Sequence, residues 1–243
     1  MPKKIKKEEK DWDSMNLPAK DLPTPPRHKK DWRESFHWRV FRIMAEFVDG
    51  FQFLADFKNT VTFFGSARFK EDNKWYKEAQ RLGKLLSEAG FSVVTGGGPG
   101  IMEAGNRGAV DGKNGDSIGL NIKLMYEQRI NPYVKKGLPF HYFFTRKVML
   151  AYSAQAYVFF PGGFGTLDEV FEMLTLIQTN KVIDHIPVIL VGKDFWGNLD
   201  SWFKNTLLKQ YKTIDAEDLN IYKVVDTAEE AYEIILNSKP REI

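Results

Sequence analysis

Short apolar segments alternate with amphipathic ones from residue 60 onward, and this alternation limits the possible folds more than any other feature of the chain. The predicted strands are 60–64, 92–95, 117–120, 141–144, 156–160, 187–191 and 223–225. The predicted helices are 73–89, 101–110, 146–154, 167–179, 202–209 and 228–236. Short apolar strands that alternate with helices are typical of a buried parallel sheet with helices on both faces. The sequence therefore predicts an α/β fold, a Rossmann-like doubly wound parallel sheet.

Residues 1–58 are predicted to form an N-terminal extension, and residues 59–243 a single α/β domain. The first 30 or so residues are rich in Lys, Asp and Pro, a composition that predicts a flexible tail or one draped over the surface. The basic run at 3–7 is either a solvated part of this tail or a contact for an anionic partner.

Residues 33–57 have apolar side chains every three or four positions, which predicts an amphipathic helical extension. The stripe consists of Phe36, Val40, Ile43, Phe47, Phe51 and Leu54, widened by Phe41, Met44, Val48 and Phe53. A helix with this much apolar surface is expected to pack on the core or on another subunit.

Composition excludes several classes of chemistry. The chain has no cysteine, so disulfides, thiolate nucleophiles and cysteine-bound zinc are excluded. The four histidines show no metal-binding spacing, and we predict no metal site. The net charge is only +3, and positive and negative side chains are mixed along most of the chain, so we expect no nucleic-acid partner. No apolar run is long enough for a bilayer and no secretory signal is visible, so we expect no membrane partner and a cytoplasmic protein.

The first glycine-rich loop, GGGPG at 96–100, follows a predicted strand and precedes a helix. Glycines allow a ligand to approach the backbone, and the N–H groups and dipole of a helix N-terminus suit an anion such as phosphate. A dinucleotide-binding fingerprint would need glycine where Glu103 stands, and no Walker motif is present. The loop therefore favours a phosphate-type ligand without the usual NAD or ATP signatures.

The second loop, PGGFGTLDE at 161–169, also joins a strand to a helix. Thr166 and Glu169 have the spacing of a capping box, in which the carboxylate only satisfies a backbone donor. Alternatively, Glu169 lies in the first helical turn beside a phosphate-type site, where the helix dipole keeps it ionised for proton transfer or for binding ribose hydroxyls. The adjacent Asp168 points about 100° away, so only one of the two is expected to face a ligand.

Arg146 and Lys147 stand at the start of a predicted helix, where the dipole disfavours cations. They therefore indicate either an anionic partner close by or an ordinary surface pair.

These three elements, GGGPGIMEAGNRGA, then TRK, then PGGFGTLDE, together with GSAR at 65–68, resemble the LOG family of cytokinin-activating phosphoribohydrolases, often labelled "lysine decarboxylase". The resemblance spans roughly residues 60 to 238. It implies a Rossmann-like nucleotide-binding domain in which Arg146 and Glu169 are the catalytic pair. The substrate-binding residues that it implies are Gly65, Ser66, Gly97, Gly98, Gly100, Glu103, Lys147, Gly162, Gly163, Gly165 and Thr166.

The resemblance also implies an activity and an assembly. The activity is hydrolysis of the N-glycosidic bond of a nucleoside 5′-monophosphate, of the AMP or N6-modified AMP type, without a cofactor. The assembly is a homo-oligomer, at least a dimer. Glu169 is expected to stabilise the oxocarbenium-like state and orient or deprotonate water, and Arg146 to neutralise the leaving base or anchor the phosphate. Glu103 is the first candidate for a second acid, with helix capping as the other interpretation of its position.

Three other functions stay open at this point. The chain could be a non-catalytic carrier or sensor, since molybdenum-cofactor carriers belong to the same superfamily. It could be an amino-acid decarboxylase, which would need a pyridoxal-binding lysine, and Lys147 is the lysine near the motifs. It could be a nucleotide-regulated interaction protein that works through the aromatic helix at 33–57.

Overall fold

The computed structural model describes residues 36–122, 130–152, 154–181 and 186–239. The chain divides into two compact units, and the boundary between them lies inside the first helix, between Arg42 and Ile43. The larger unit, which begins at Ile43, carries the sheet. The predicted tail and its basic run lie outside the described residues. The domain boundary after residue 58 stays a prediction.

One parallel sheet organises the described residues. Its seven strands are Thr60–Phe64 (β1), Ser92–Thr95 (β2), Ser117–Ile122 (β3), Lys136–Phe140 (β4), Ala156–Phe159 (β5), Val188–Val191 (β6) and Tyr222–Val225 (β7). Their order is β4-β3-β2-β1-β5-β6-β7, so the chain winds outward from β1 in both directions. In the register beside β1, Thr60 pairs with Ser92 and Phe64 with Phe159. The predicted doubly wound parallel sheet is confirmed.

Helices connect the strands. The α-helices are Phe36–Ala55 (α1), Lys74–Glu88 (α2), Ile101–Gly112 (α3), Phe143–Tyr152 (α4), Phe164–Gln178 (α5), Lys193–Trp202 (α6) and Ala228–Leu236 (α7). A π-helix at Phe203–Tyr211 and a 3-10 helix at Ala216–Asn220 lie between α6 and β7. None of the helices in the described ranges is both long and apolar enough to cross a bilayer.

The sheet separates two apolar clusters. Helices α2, α3 and α7 pack on one face, where residues such as Leu82, Ala104 and Ala231 are fully buried. Helices α4, α5 and α6 pack on the other face, with Met149 and Met173 in the cluster. Because β1, β2 and β5 are neighbours, the loops after them meet at one edge of the sheet. A doubly wound sheet binds its ligand at this kind of switch point, outside the carboxyl ends of the strands.

Helix α1 buries only part of its predicted apolar stripe. Leu54 is buried, and Phe47 and Phe53 pack against the cluster that α4 and α5 line. By contrast, Met44 and Val48 are more than half exposed. The expectation that this helix packs on the core is confirmed for one side of α1, and no residue in the described part of the chain covers the second apolar side.

The predicted strand at 141–144 is wrong. The strand is Lys136–Phe140, and residues 143 and 144 already belong to α4. The aromatic side chains at 142–144 gave the apolar pattern of a strand although these residues do not form one. The true strand, β4, is a largely exposed edge strand that contains Pro139, so it lacks an apolar pattern. An edge strand tolerates proline because one side of its backbone needs no partner. Helix α6 was missed, and α5 begins three residues earlier than predicted.

Candidate active site

The loop after β1 holds the two glycine-rich loops together. The backbone N–H of Ser66 donates to the carbonyl of Pro161 at 3.0 Å, and the N–H of Ile101 donates to the carbonyl of Ser66 at 3.0 Å. A Cβ added at Gly65 would lie 2.7 Å from Cγ1 of Ile101, so the close approach requires glycine. Gly65 and Ser66, both predicted to bind substrate, therefore lie between the two loops.

The first glycine-rich loop turns tightly where it enters α3. Gly97 and Gly100 have φ values of +70° and +71°, which strongly favour glycine. A Cβ at Gly100 would lie 2.8 Å from the Cα of Ala67, so the two backbones are in contact. Gly97, Gly98 and Gly100 thus form one side of the crevice at the end of β2.

A buried polar network, which we did not predict from the sequence, supports this loop. The N–H of Gly97 donates to Oγ1 of Thr95 at 2.9 Å, and Thr95 donates to Oδ1 of Asn106 at 2.6 Å. Nδ2 of Asn131 lies 2.9 Å from the Gly98 carbonyl and 3.0 Å from the Asn106 oxygen. In the sequence, this network is indicated only by polar residues at positions that the apolar pattern would assign to the core.

The second glycine-rich loop leaves free space at the start of α5. A Cβ added at Gly163 or Gly165 would meet no heavy atom of the described residues within 4 Å, whereas one at Gly162 would collide with the side chain of Thr166. Gly163 is the N-cap of α5 and provides no side-chain hydrogen bond to the helix. The first N–H groups of α5 therefore face an open space that suits an anion.

Arg146 and Glu169 come together at the same edge of the sheet. Their side chains are 12% and 15% exposed, and Nη2 of Arg146 lies 3.7 Å from Oε1 of Glu169. A Cβ at Gly96 would lie 3.0 Å from Nη1 of Arg146, so the guanidinium rests against the first loop. Nε of Arg146 is buried and has no hydrogen-bond partner within the described ranges. The structure thus unites the predicted catalytic pair between the loops after β2 and β5.

Burial sets the protonation of this pair. It raises the pKa of Glu169 to about 7, although the positive charges of Arg146 and Lys147 act in the opposite direction. Burial also lowers the pKa of Arg146, and the carboxylate of Glu169 partly offsets this change. Near neutral pH the Glu169 carboxyl therefore populates both its protonated and its ionised form.

Two expectations for Glu169 need correction. The capping box was wrong, because α5 begins at Phe164, with Gly163 as its N-cap, so Thr166 is already inside the helix. Glu169 is the sixth residue of α5 and lies beyond the first turn. The helix dipole acts mainly within that turn, and burial dominates at Glu169, so the expectation of a fully ionised carboxylate was also wrong.

Lys147 points to a different set of carboxylates. Its Nζ lies 2.7 Å from Oδ2 of Asp168 and 3.2 Å from Oε2 of Glu172. Burial favours the neutral amine, but the hydrogen bonds to these two carboxylates outweigh it and raise the pKa of Lys147. The anionic partners that the Arg146–Lys147 pair indicated are therefore supplied within the chain. The predicted contact of Lys147 with substrate stays a prediction.

Glu103 belongs to α3, on the face of the sheet that also carries α2. Its Oε1 accepts a hydrogen bond from the hydroxyl of Tyr76 at 3.0 Å. Burial, together with Glu103, raises the pKa of Tyr76 to about 12. Both residues line a cleft of about 670 Å³ whose other walls are residues 67–72, Pro99 and Gly100. Arg146 and Glu169 belong to helices that pack on the opposite face, and the role of Glu103 as a second acid stays a prediction.

The groups that face the crevice suit an anion. They are the backbone N–H groups at the start of α5 and the guanidinium of Arg146. Across the described ranges, no three His, Asp or Glu side chains gather as metal ligands. The expectation that the protein works without metal or cofactor stays a prediction.

Comparison with known proteins connects this site to a family. A family model described as "Possible lysine decarboxylase" matches residues 102–235, more than half of the chain. The "Cytokinin riboside 5'-monophosphate phosphoribohydrolase LOG" of Oryza sativa subsp. japonica is 30% identical over 182 residues, which are 74% of this chain and 72% of that protein. The chain belongs to the LOG family. The resemblance predicted from the three motifs is confirmed.

In two further relatives, the match covers a smaller share of the relative's own length. The LOG-family protein "Probable cytokinin riboside 5'-monophosphate phosphoribohydrolase LOGL3" of the same rice is 34% identical over 145 residues, 58% of this chain and 66% of that protein. The "Pyrimidine/purine nucleotide 5'-monophosphate nucleosidase" of Escherichia coli (strain K12) is 29% identical over 161 residues, 61% of this chain and 35% of that protein. The chain thus matches less than two thirds of each.

A solved structure of the molybdenum cofactor carrier protein of Chlamydomonas reinhardtii superposes with a TM-score of 0.56. It covers 74% of this chain and 96% of that protein at 22% identity. At this identity the likeness shows a shared fold, and it confirms the Rossmann-like architecture that the sequence predicts for the LOG-family chain.

Proposed function

We propose that this protein hydrolyses the N-glycosidic bond of a nucleoside 5′-monophosphate and releases the free base and ribose 5-phosphate. One observation carries the proposal: Glu169, with a pKa of about 7, lies 3.7 Å from Arg146 in the crevice between two glycine-rich loops. A buried carboxyl that titrates near neutral pH beside a buried cation is the arrangement expected of an acid–base pair in an active site.

The phosphate of the substrate binds at the N-terminus of α5. The open space above Gly163 and Gly165 lets phosphate oxygens approach the backbone N–H groups, and the helix dipole adds attraction. Thr166, within the first turn, places a hydroxyl at the same end. This binding mode fixes the ribose close to Glu169, five residues beyond Phe164, the first residue of the helix.

Cleavage of the glycosidic bond builds positive charge on the ribose ring, as in other glycoside hydrolyses. The ionised form of Glu169 stabilises that charge and accepts a proton from the attacking water, whose oxygen then bonds to C1′. The C1′–N bond breaks, and its electrons go to the base. Arg146 stabilises the negative charge that develops on the base, and its buried Nε is available as an additional hydrogen-bond donor.

A carboxyl with a pKa of about 7 can also return its proton. Once Glu169 has accepted a proton from water, it can deliver that proton to the nitrogen of the leaving base. The products then balance: hydroxyl on ribose, hydrogen on the base, and Glu169 ionised again.

The relatives' names support AMP or an N6-modified AMP of the cytokinin type as the substrate class. The name of the Escherichia coli relative supports a wider range of purine and pyrimidine monophosphates. We further propose that the protein is a homo-oligomer, because Met44 and Val48 leave an exposed apolar side on α1. A cytoplasmic location is part of the same proposal and rests on the sequence alone.

A panel of substrates tests the proposal. Purified protein is incubated with AMP, N6-substituted AMP, other purine and pyrimidine monophosphates, and adenosine, and free base is measured by chromatography. We expect release from at least one monophosphate and little from adenosine, because adenosine lacks the group that α5 binds. Binding of monophosphates without release from any of them would favour the carrier or sensor function instead.

Decarboxylation is the other alternative that the family description raises. A lysine that forms a Schiff base must lose its proton, but Lys147 is held in its charged form by Asp168 and Glu172. This pairing favours the hydrolase, and purified protein is expected to show no pyridoxal absorbance band.

A further inference from the structure

Helix α1 contacts the helix that carries Arg146. A Cβ added at Gly50 would lie 2.5 Å from Sδ of Met149, so α1 and α4 approach each other as closely as glycine permits. One residue further, the ring of Phe51 meets that of Tyr152 edge to face, with 4.7 Å between their centroids. The close approach places the polar side of α1 beside the start of α4.

Glu46 of α1 occupies the N-terminus of α4. Its Oε1 accepts the backbone N–H of His141 at 2.6 Å, and its Oε2 accepts that of Tyr142 at 3.3 Å. The hydroxyl of Thr145, a buried residue, lies 2.6 Å from the same Oε2. Glu46 thus binds the two residues that precede α4 together with Thr145 of its first turn, and the helix dipole stabilises a carboxylate at this end.

Arg146, the residue after Thr145, is buried but has few polar contacts, and its guanidinium lies over the ring of Phe143, in the same first turn of α4. Its nearest carboxylate oxygen is 3.7 Å away, and its Nε has no hydrogen-bond partner among the described residues. The position of its guanidinium against Gly96 therefore depends on where the first turn of α4 is held.

We propose that Glu46 is a positioning residue for the hydrolysis: it fixes the first turn of α4 so that Arg146 lies between the first glycine-rich loop and Glu169. This inference rests on the proposed function, since it assigns a task to Arg146. It also gives the helical extension before the sheet a part in the active site, which the sequence motifs did not indicate.

Replacement of Glu46 by glutamine tests the contact with little change in size. Each carboxylate oxygen of Glu46 accepts one of the two backbone N–H groups, whereas glutamine has a single acceptor oxygen, so its NH2 group must face the N–H of either His141 or Tyr142. Asp49→Asn is the matched control, because Asp49 is exposed on the same helix and the change removes the same charge.

We expect Glu46→Gln to lower kcat about tenfold or more while KM changes less than about threefold, because a small displacement of a catalytic group costs rate rather than binding. Asp49→Asn is expected to keep the wild-type kcat. Thr145→Val should lower kcat similarly, and the double variant should be no worse than about the worse single one, since both changes release the same turn. A lower melting temperature with unchanged kcat, measured well below melting, would show that Glu46 only stabilises α4 and would overturn the proposal.

A second measurement keeps the inference testable if wild-type protein releases no base. The Nε–H of Arg146 is buried and has no partner in the part of the chain that the structure describes, so its NMR signal reports on the placement of the guanidinium without any ligand. We expect this signal to shift and to exchange faster with solvent in Glu46→Gln, and to stay in place in Asp49→Asn. An unshifted signal in Glu46→Gln contradicts the positioning role, whereas absent base release with a shifted signal contradicts only the proposed hydrolysis.

Discussion

Glu169 makes the stability of the folded protein depend on pH in a way that the structure allows us to calculate. Its pKa rises from 4.5 to about 7 on folding because the carboxyl is buried. The folded state therefore holds this proton more tightly than the unfolded state does. The resulting stabilisation is fully present below pH 4.5, declines as the pH rises toward 7, and is lost above it. The whole change corresponds to about 3 kcal/mol.

Wild type and Glu169→Gln, unfolded in urea at several pH values between about 5 and 8, isolate this contribution. Loss of the partner of Arg146 shifts the unfolding free energy of the variant by a constant amount, because arginine stays charged throughout this range. The difference, wild type minus variant, should therefore fall by about 2 to 3 kcal/mol from pH 5 to pH 8. A difference that is independent of pH, or that grows with pH, would show that the ion pair with Arg146 outweighs burial and would refute the reasoning.

The site supports four further predictions. The value of kcat/KM should rise with pH and level off above about 7, as a pH–rate profile would show, because the ionised form of Glu169 starts the reaction. Arg146→Ala should lower kcat by about a hundredfold or more with the melting temperature little changed, and steady-state kinetics with calorimetry would check both. Gly97→Ala should destabilise the fold by about 1–3 kcal/mol in urea unfolding, because φ is +70° and Asn121 fills the space that the new Cβ would need. Gly163→Ala, by contrast, should leave the unfolding free energy nearly unchanged and raise KM. Thr95→Val should cost about 1–3 kcal/mol in the same assay, because it leaves the Gly97 N–H without an acceptor.

The sheet and the proximity of Arg146 and Glu169 were predictable because their signals are local. Apolar strands that end in glycine marked β1, β2 and β5, and the motif at 161–169 placed Glu169 on the helix that follows β5. The order of the strands, which the structure provides, places the loops after β1, β2 and β5 side by side, and Arg146 lies on the helix before β5.

The remaining features depend on contacts between residues far apart in the sequence. Thr95 and Asn131 support the first loop through a network that joins segments more than 30 residues apart. Glu46 contacts residues almost 100 positions away. The raised pKa of Glu169 follows from its burial, which a motif cannot reveal. The exposed edge strand β4 lacks the apolar pattern on which strand prediction depends.

Turnover by Glu169→Gln tests the central claim most directly. Wild type, Glu169→Gln and Glu88→Gln are compared on the best monophosphate of the panel, and base and ribose 5-phosphate are quantified together. Glu88→Gln makes the same isosteric change at the end of α2, just before β2 and away from the carboxyl ends of the strands. We predict equal amounts of the two products from wild type and Glu88→Gln, and at least about a hundredfold less from Glu169→Gln. Wild-type turnover in Glu169→Gln would contradict the claim that this carboxyl carries the reaction.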